Sequence, residues 1–286
     1  MKRVCAIALC LFMCWSAAAG ERWAIVVGIG EYPTESGWLK INGDNDIEII
    51  VPMLRKFGFS ASHITTLKNE EATKQNIENA VMGLLPKLKS GDTLYFHFSG
   101  HGQLITDLDG DEEDGWDEAI IPYDARPSYD PDGYKGEKHI VDDELNGWLL
   151  NVRRKVGPEG KILVVLDACH SGGGSRDEDE DVTVRGTTDI FKIKSAALKG
   201  SGARRAVEWV CISACKSDQR NYEYKADNGR QYGRLSWALS RMLIPDMCAG
   251  ELERLINVQY ESLPLTPSPQ NVEMDCRPDM MNKPVL

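Results

Sequence analysis

Residues 161–172 read KILVVLDACHSG, an uninterrupted apolar run that ends directly in Asp167, Cys169, His170 and Ser171. A short apolar run rich in branched side chains, with polar and small residues at its exit, marks a strand buried on both faces. Residues 93–102, TLYFHFSGHG, repeat that arrangement and exit into Ser99, Gly100, His101 and Gly102. Residues 23–29 (WAIVVGI), 64–67 and 207–213 (VEWVCIS) supply further strand-like runs. Helical stripes fall between them. Ile77, Ala80, Val81, Leu84, Leu85 and Leu88 form one, and Leu145, Trp148, Leu149 and Val152 another. Ile47, Ile50, Val51 and Leu54 form a third, in which Pro52 predicts a kink or an early break. Two more helices are expected around 235–243 and 250–260. Apolar strands alternating with amphipathic helices predict a three-layer α/β/α domain with a mainly parallel central sheet.

The chain has 286 residues, 42% of them hydrophobic, with a net charge of -11 and a pI near 5.0. That balance disfavours a nucleic-acid partner, which needs a basic footprint. Lys2 and Arg3, an apolar run over 4–15, and Ala17 to Ala19 read as a signal peptide over residues 1–19, cut after Ala19. The protein is therefore expected to be secreted or periplasmic. Lipidation at Cys14 is the competing reading, weakened by the bulk of Met13. No other segment is long and apolar enough to span a membrane. Cleavage removes Cys5, Cys10 and Cys14, leaving five cysteines of eight and at least one unpaired thiol. Their spacings do not make a zinc motif. One domain is expected over 20–263, with long loops at 105–138 and 172–206. The Pro-rich tail at 264–286 is expected to be irregular.

Open parallel sheets bind ligands beyond the carboxyl ends of their strands. His101 and Cys169 both stand just past such an end, although they are 68 positions apart. A cysteine nucleophile needs a base within reach, because the thiolate is the attacking species. Gly100, Gly102 and Gly172 to Gly174 let backbone approach a substrate and offer N–H groups to an oxyanion. Alone, a strand-end cysteine is more often a small buried hydrophobe; SGHG and DACHSG on successive strand ends are far more specific. Asp107, Asp109, Asp111, Glu113, Asp114, Asp117 and Glu118 crowd the first loop. Such oxygen density suits calcium, although a solvated acidic loop explains it equally well. Glu112 occupies the position where an EF-hand requires glycine, so this is not an EF-hand.

The blocks YFHFSGHG at 95–102 and VVLDACHSG at 164–172 resemble the catalytic blocks of metacaspases. The first strand, the segment DLDGDEEDGWDEAIIPYDA and ISACKSDQ at 212–219 extend that resemblance over roughly 22–243. It implies a caspase-like fold and a cysteine endopeptidase with His101 and Cys169 as a dyad. His101 is the expected base rather than His170, which follows the nucleophile directly, and no third orienting residue is evident. The resemblance also implies an acidic S1 pocket made by Asp46 and Asp167, shaped by Ser99, with Asp44 the alternative to Asp46. Such carboxylates would take Arg or Lys at P1 and reject Asp. Calcium is the expected activating ion, held by Asp117, Asp142, Asp143 and Asp177, with Asp179 an alternative to the last. No organic cofactor is expected. The 172–206 segment corresponds to a loop cleaved in many relatives, and Arg176, Arg185, Lys192, Lys194, Lys199, Arg204 and Arg205 offer self-processing sites in a zymogen. The partners implied are peptide or protein substrates of a monomer. Competing readings are a clostripain-, gingipain- or legumain-like protease, an idle caspase-like binding module, and a calcium-binding surface protein.

Overall fold

The computed structural model describes residues 20–112, 114–170, 183–193, 207–244 and 246–286. The expected leader, Asp177, Asp179 and most of the 172–206 segment lie outside the described residues. The elements in chain order begin with β1 (Arg22–Gly28), α1 (Gly43–Lys56), β2 (Ile64–Lys68), α2 (Lys74–Met82) and β3 (Thr93–Ser99). β4 (Gly102–Thr106), β5 (Trp116–Ile120), β6 (Ile140–Val141), α3 (Asp142–Val156) and β7 (Lys161–Asp167) follow. The chain ends with β8 (Val210–Ser213), β9 (Glu223–Lys225), β10 (Gln231–Gly233), α4 (Arg234–Met242), α5 (Ala249–Ser262) and β11 (Glu273–Asp275).

The central sheet has the order β11-β8-β7-β3-β1-β2. Its pairs are parallel except β11 with β8. Side chains of β1 alternate between two cores. Trp23, Ile25 and Val27 pack with Ile77 and Val81 of α2 and Leu145, Leu149 and Val152 of α3. Ala24 and Val26 pack with Ile50 and Leu54 of α1, Leu235 and Leu239 of α4, and Leu252 and Ile256 of α5. The result is three layers, and it explains why the strands read as continuous rather than alternating apolar runs.

Several local expectations change. α1 runs through Pro52 without a break. Proline in a helix interior costs about 3 kcal/mol, whereas burying each large apolar side chain returns roughly 1.5–3 kcal/mol. Ile50, Met53 and Leu54 are all in the core, so packing outweighs the lost bond. α2 stops at Met82, and the stripe continues through turns that still bury Leu84 and Leu88. Gly83 and Pro86 account for the early stop. The acidic 105–138 stretch is not all loop: β4 and β5 form an antiparallel hairpin, and β6 adds to β5. The tail is not wholly irregular, because β11 closes one edge of the central sheet and Val285 and Leu286 are buried.

Candidate active site

β3 and β7 are neighbours with Ser99 opposite Asp167, so both chemistry-bearing exits leave the same sheet edge. Gly102, one residue past His101, lies so near Cys169 that a Cβ on it would sit 2.6 Å from the Cys169 carbonyl oxygen. His101 is almost fully buried. Its peptide N–H donates to the Tyr32 hydroxyl at 3.0 Å, and Trp38 stacks on its ring at 4.9 Å. Its Nε2 is 2.8 Å from the Leu39 carbonyl oxygen. A carbonyl only accepts, so Nε2 carries the proton and Nδ1 keeps the lone pair. Nδ1 is buried without a hydrogen-bond partner among the described residues. Burial pushes the imidazole down to about 4, against the opposing pull of the Leu39 carbonyl. A neutral imidazole whose Nδ1 keeps its lone pair has the form a general base needs. The Leu39 carbonyl therefore fills the orienting role for which the sequence showed no residue.

Cys169 is buried and its thiol donates to the Gln219 carbonyl at 3.0 Å. His170 faces elsewhere: its Nδ1 is 3.1 Å from the Ala119 carbonyl oxygen on β5. None of the five described cysteines, Cys169, Cys211, Cys215, Cys248 and Cys276, is in a disulfide.

The expected S1 residues converge from three elements. Asp46 comes from the first turn of α1, Ser99 from the end of β3 and Asp167 from the end of β7. All three are fully buried. Ser99 Oγ donates to Asp46 Oδ2 at 2.7 Å, and the Gly233 N–H donates to Asp46 Oδ1 at 3.0 Å. Asp167 Oδ2 accepts the Ser236 N–H and hydroxyl at 2.8 and 2.7 Å, and Oδ1 accepts Asn221 Nδ2 at 2.8 Å. Asp44, the alternative, instead pairs with Lys68 at 3.2 Å.

A guanidinium of the same chain fills this pocket. Arg185 is fully buried. Its Nη1 donates to Asp46 Oδ2 at 2.6 Å and lies 3.4 Å from Asp167 Oδ1, and its Nε donates to Glu223 Oε1 at 3.0 Å. The backbone on the N-terminal side is paired like a strand of substrate. Val184 forms an antiparallel bridge with Tyr222, the Arg185 N–H donates to the Asn221 carbonyl at 2.9 Å, and the Glu223 N–H donates to the Thr183 carbonyl at 3.0 Å. Gly186 follows directly against Cys169, where a Cβ would come within 3.1 Å of the cysteine Cβ. Further on, Phe191 is buried and pinned to β4 by bonds to Leu104 and Thr106. Burial and the neighbouring Asp167 push Asp46 up to about 6, although Arg185 and Ser99 pull the other way. Burial also raises Asp167, but Arg185, Asn221 and Ser236 outweigh it and hold that carboxyl below its usual range.

The acidic hairpin turn gathers a second group of carboxylates. Oxygens of Asp107, Asp111 and Asp117 lie within 4.8 Å of one another, and those of Asp109, Asp111 and Asp143 do likewise. Burial, then Asp142 and Asp107, push Asp117 up to about 8. The Oδ1 atoms of Asp111 and Asp117 are buried without a hydrogen-bond partner among the described residues. Of the expected ligands, Asp117 and Asp143 stand in this group and Asp142 acts on it through its charge. Asp107 and Asp111, read from the sequence only as part of the acidic crowd, join them.

A family model described as metacaspase, peptidase C14 domain, matches residues 22–175. Metacaspase-1A of Aspergillus oryzae is 35% identical over 165 residues, 55% of this chain and 36% of that protein. Metacaspase-1 of Meyerozyma guilliermondii is 26% identical over 92% of this chain and 73% of its own length. Metacaspase-1B of Neosartorya fischeri is 34% identical over 80% of this chain and 63% of its own length. The chain thus spans about a third of the first of these relatives and more of the others. Among solved structures, a Geobacter sulfurreducens protein has a TM-score of 0.62 at 21% identity, covering 93% of this chain and 98% of that one. Pro-sf-caspase-1 has a TM-score of 0.51 at 13% identity, covering 93% of each chain. Both share the fold.

Proposed function

The chain belongs to the metacaspase family, and on that premise we propose that it is a cysteine endopeptidase cutting peptide bonds after Arg or Lys. The observation that carries the reading is Arg185, seated between carboxylates with the following glycine against Cys169. His101 Nδ1 takes the Cys169 proton, and the thiolate attacks the carbonyl carbon of the P1 residue. Backbone N–H groups beside Cys169 and Gly102 receive the developing oxyanion. The proton held by His101 passes to the leaving amine, which gives a thioester on Cys169. Water, deprotonated by the same imidazole, then releases the new carboxylate.

The Arg185–Gly186 bond is then the chain's own first substrate. A segment paired as an antiparallel strand and gripped at P1 blocks the site until it is cut, which makes the uncut chain a zymogen. Calcium fits the hairpin carboxylates, since partnerless buried oxygens and a carboxyl pushed up by burial and by its acidic neighbours call for a hard cation. Asp107, Asp111, Asp117 and Asp143 would hold it, and it would supply positive charge beside β5. The leader motif supports export, to the periplasm or beyond.

The test uses peptides matched except for Arg, Lys or Asp at P1, with and without calcium, alongside Cys169→Ala. Cleavage after Arg or Lys that vanishes in the variant is expected. The wild-type chain should also yield a fragment beginning at Gly186 by intact mass, absent in Cys169→Ala. Cleavage only after Asp, or activity that survives Cys169→Ala, would sink the proposal.

A further inference from the structure

The pocket grips the guanidinium at two different nitrogens, and we infer that Glu223 is the residue that makes this site prefer arginine to lysine. The inference rests on the proposed function above and deepens it. Asp46 and Asp167 both address Nη1, the end of the side chain. Nη2 has no partner among the described residues. Among the described residues only Glu223 reads Nε, at 3.0 Å.

Glu223 is fixed before any substrate arrives. It opens β9 and pairs with Gly233 of β10. Its side chain is 1% exposed. Oε1 accepts the Asn42 N–H at 2.7 Å and Oε2 accepts Asn42 Nδ2 at 2.6 Å. Gln231 Oε1 holds the same Asn42 amide at 2.7 Å. A carboxylate so held cannot swing away when a poorer ligand enters.

Lysine has a methylene where arginine has Nε–H. Its ammonium reaches about as far as the guanidinium carbon, so it still balances Asp46 and Asp167. Glu223 would then face a CH2 group in a closed pocket. Sites built to hydrogen-bond a substrate N–H reject an analogue lacking it by up to roughly 10⁴–10⁵-fold. Glu223 keeps both Asn42 bonds in either case, so the penalty here is partial. An arginine preference of about 100-fold in kcat/KM is expected, since bonds to charged groups contribute about 1.5–3 kcal/mol.

The experiment measures kcat/KM for peptides identical except for Arg, Lys or Nε-methylarginine at P1. It uses the wild-type chain and Glu223→Gln. The wild type should favour Arg over Lys about 100-fold and treat Nε-methylarginine as poorly as Lys. In Glu223→Gln, arginine cleavage should fall through a raised KM. Lysine cleavage should rise, because no charge is left facing the methylene. The Arg-to-Lys ratio should therefore drop at least about tenfold, the loss expected when a charged acceptor becomes neutral. Equal use of Arg and Lys by the wild type would overturn the inference while leaving the protease intact. So would full activity on Nε-methylarginine, a result that does not depend on the variant folding, or an unchanged ratio in Glu223→Gln. Cleavage after neither basic residue would instead overturn the function on which the inference rests.

Discussion

Replacing Arg185 with alanine should reveal how far the folded protein depends on the guanidinium seated in its own pocket. The comparison is made in Cys169→Ala, so that no cutting intervenes. Arg185 is the counter-charge for three buried carboxylates, Asp46, Asp167 and Glu223. Removing one partner of a buried ion pair costs about 3–5 kcal/mol. Truncation also opens the pocket to water, which places the expected loss near the low end, about 3 kcal/mol. For a domain of this size that lowers Tm by roughly 6–12 °C. The loss should depend on pH. Asp46 is already pushed up to about 6 with the guanidinium in place, and Arg185 is one of the groups holding it down. Without Arg185 the folded pocket takes up a proton more readily still, whereas the unfolded chain takes it only near its ordinary value of 3.8. A folded-state pKa raised above the unfolded one favours folding as pH falls. Because the unfolded chains are alike, the deficit should be larger at pH 8 than at pH 5: it closes as pH falls towards about 6, where only the pocket lacking Arg185 has taken up the proton, and is level below that. Calorimetry or urea unfolding of Cys169→Ala with and without Arg185→Ala, at pH 5 and pH 8, reads this directly. Equal stability of the two proteins, or a gap unchanged between the two pH values, would refute the assignment of Arg185 as counter-charge.

Two further outcomes follow from the carboxylates. On the proposed function, KM for arginine peptides should rise as pH falls from 8 towards about 6 and level off below it, because the empty pocket protonates at a higher pH than the arginine-filled one; a KM flat from pH 5 to 8 would place the specificity elsewhere. Calcium binding at pH 7 should release protons, because Asp117 is pushed up to about 8 and must ionise to act as a ligand. Titration calorimetry in two buffers of different ionisation enthalpy measures that release, and Asp117→Asn should abolish it together with most of the affinity. Binding without proton release would remove Asp117 from the site.

That His101 and Cys169 leave the same sheet edge was legible because parallel strands buried on both faces write themselves as long apolar runs, and chemistry collects where those runs end. Ser99 opposite Asp167 is the geometric form of that pattern. Other parts left no trace. The group that orients His101 is the Leu39 carbonyl, and every residue carries a carbonyl. β9 is a three-residue strand, EYK, whose glutamate has no local mark distinguishing it from any surface acid. β11 is equally short, with Glu273 and Asp275 exposed, so periodicity had nothing to act on. The β4–β5 hairpin was masked by its acidic turn, which breaks the alternation a strand pair would show. Arg185 was one of seven basic residues in its segment, and nothing local sets it apart. What selects it is non-local: pairing of 183–185 with 221–223 lays one arginine, and the glycine after it, across the nucleophile.

On the proposed function, that selection ties latency and specificity to a single interaction. A pocket with three buried carboxylates and no cation is costly, so the folded chain gains by keeping a guanidinium in it. The nearest guanidinium is tethered to the same chain, which gives it an effective concentration no free peptide matches at first. On the proposed function, cutting after Arg185 does not remove that ligand but frees one end of it. Phe191 stays buried and paired with β4 on the downstream side, while among the described residues the upstream strand keeps its backbone bonds to 221–223 and the side-chain bonds of Arg185. The tether that gave Arg185 its advantage is then held from one side, and an outside arginine competes for the three carboxylates on closer terms. On that function, the pocket that makes the uncut chain stable is thus the one that would make the cut chain selective.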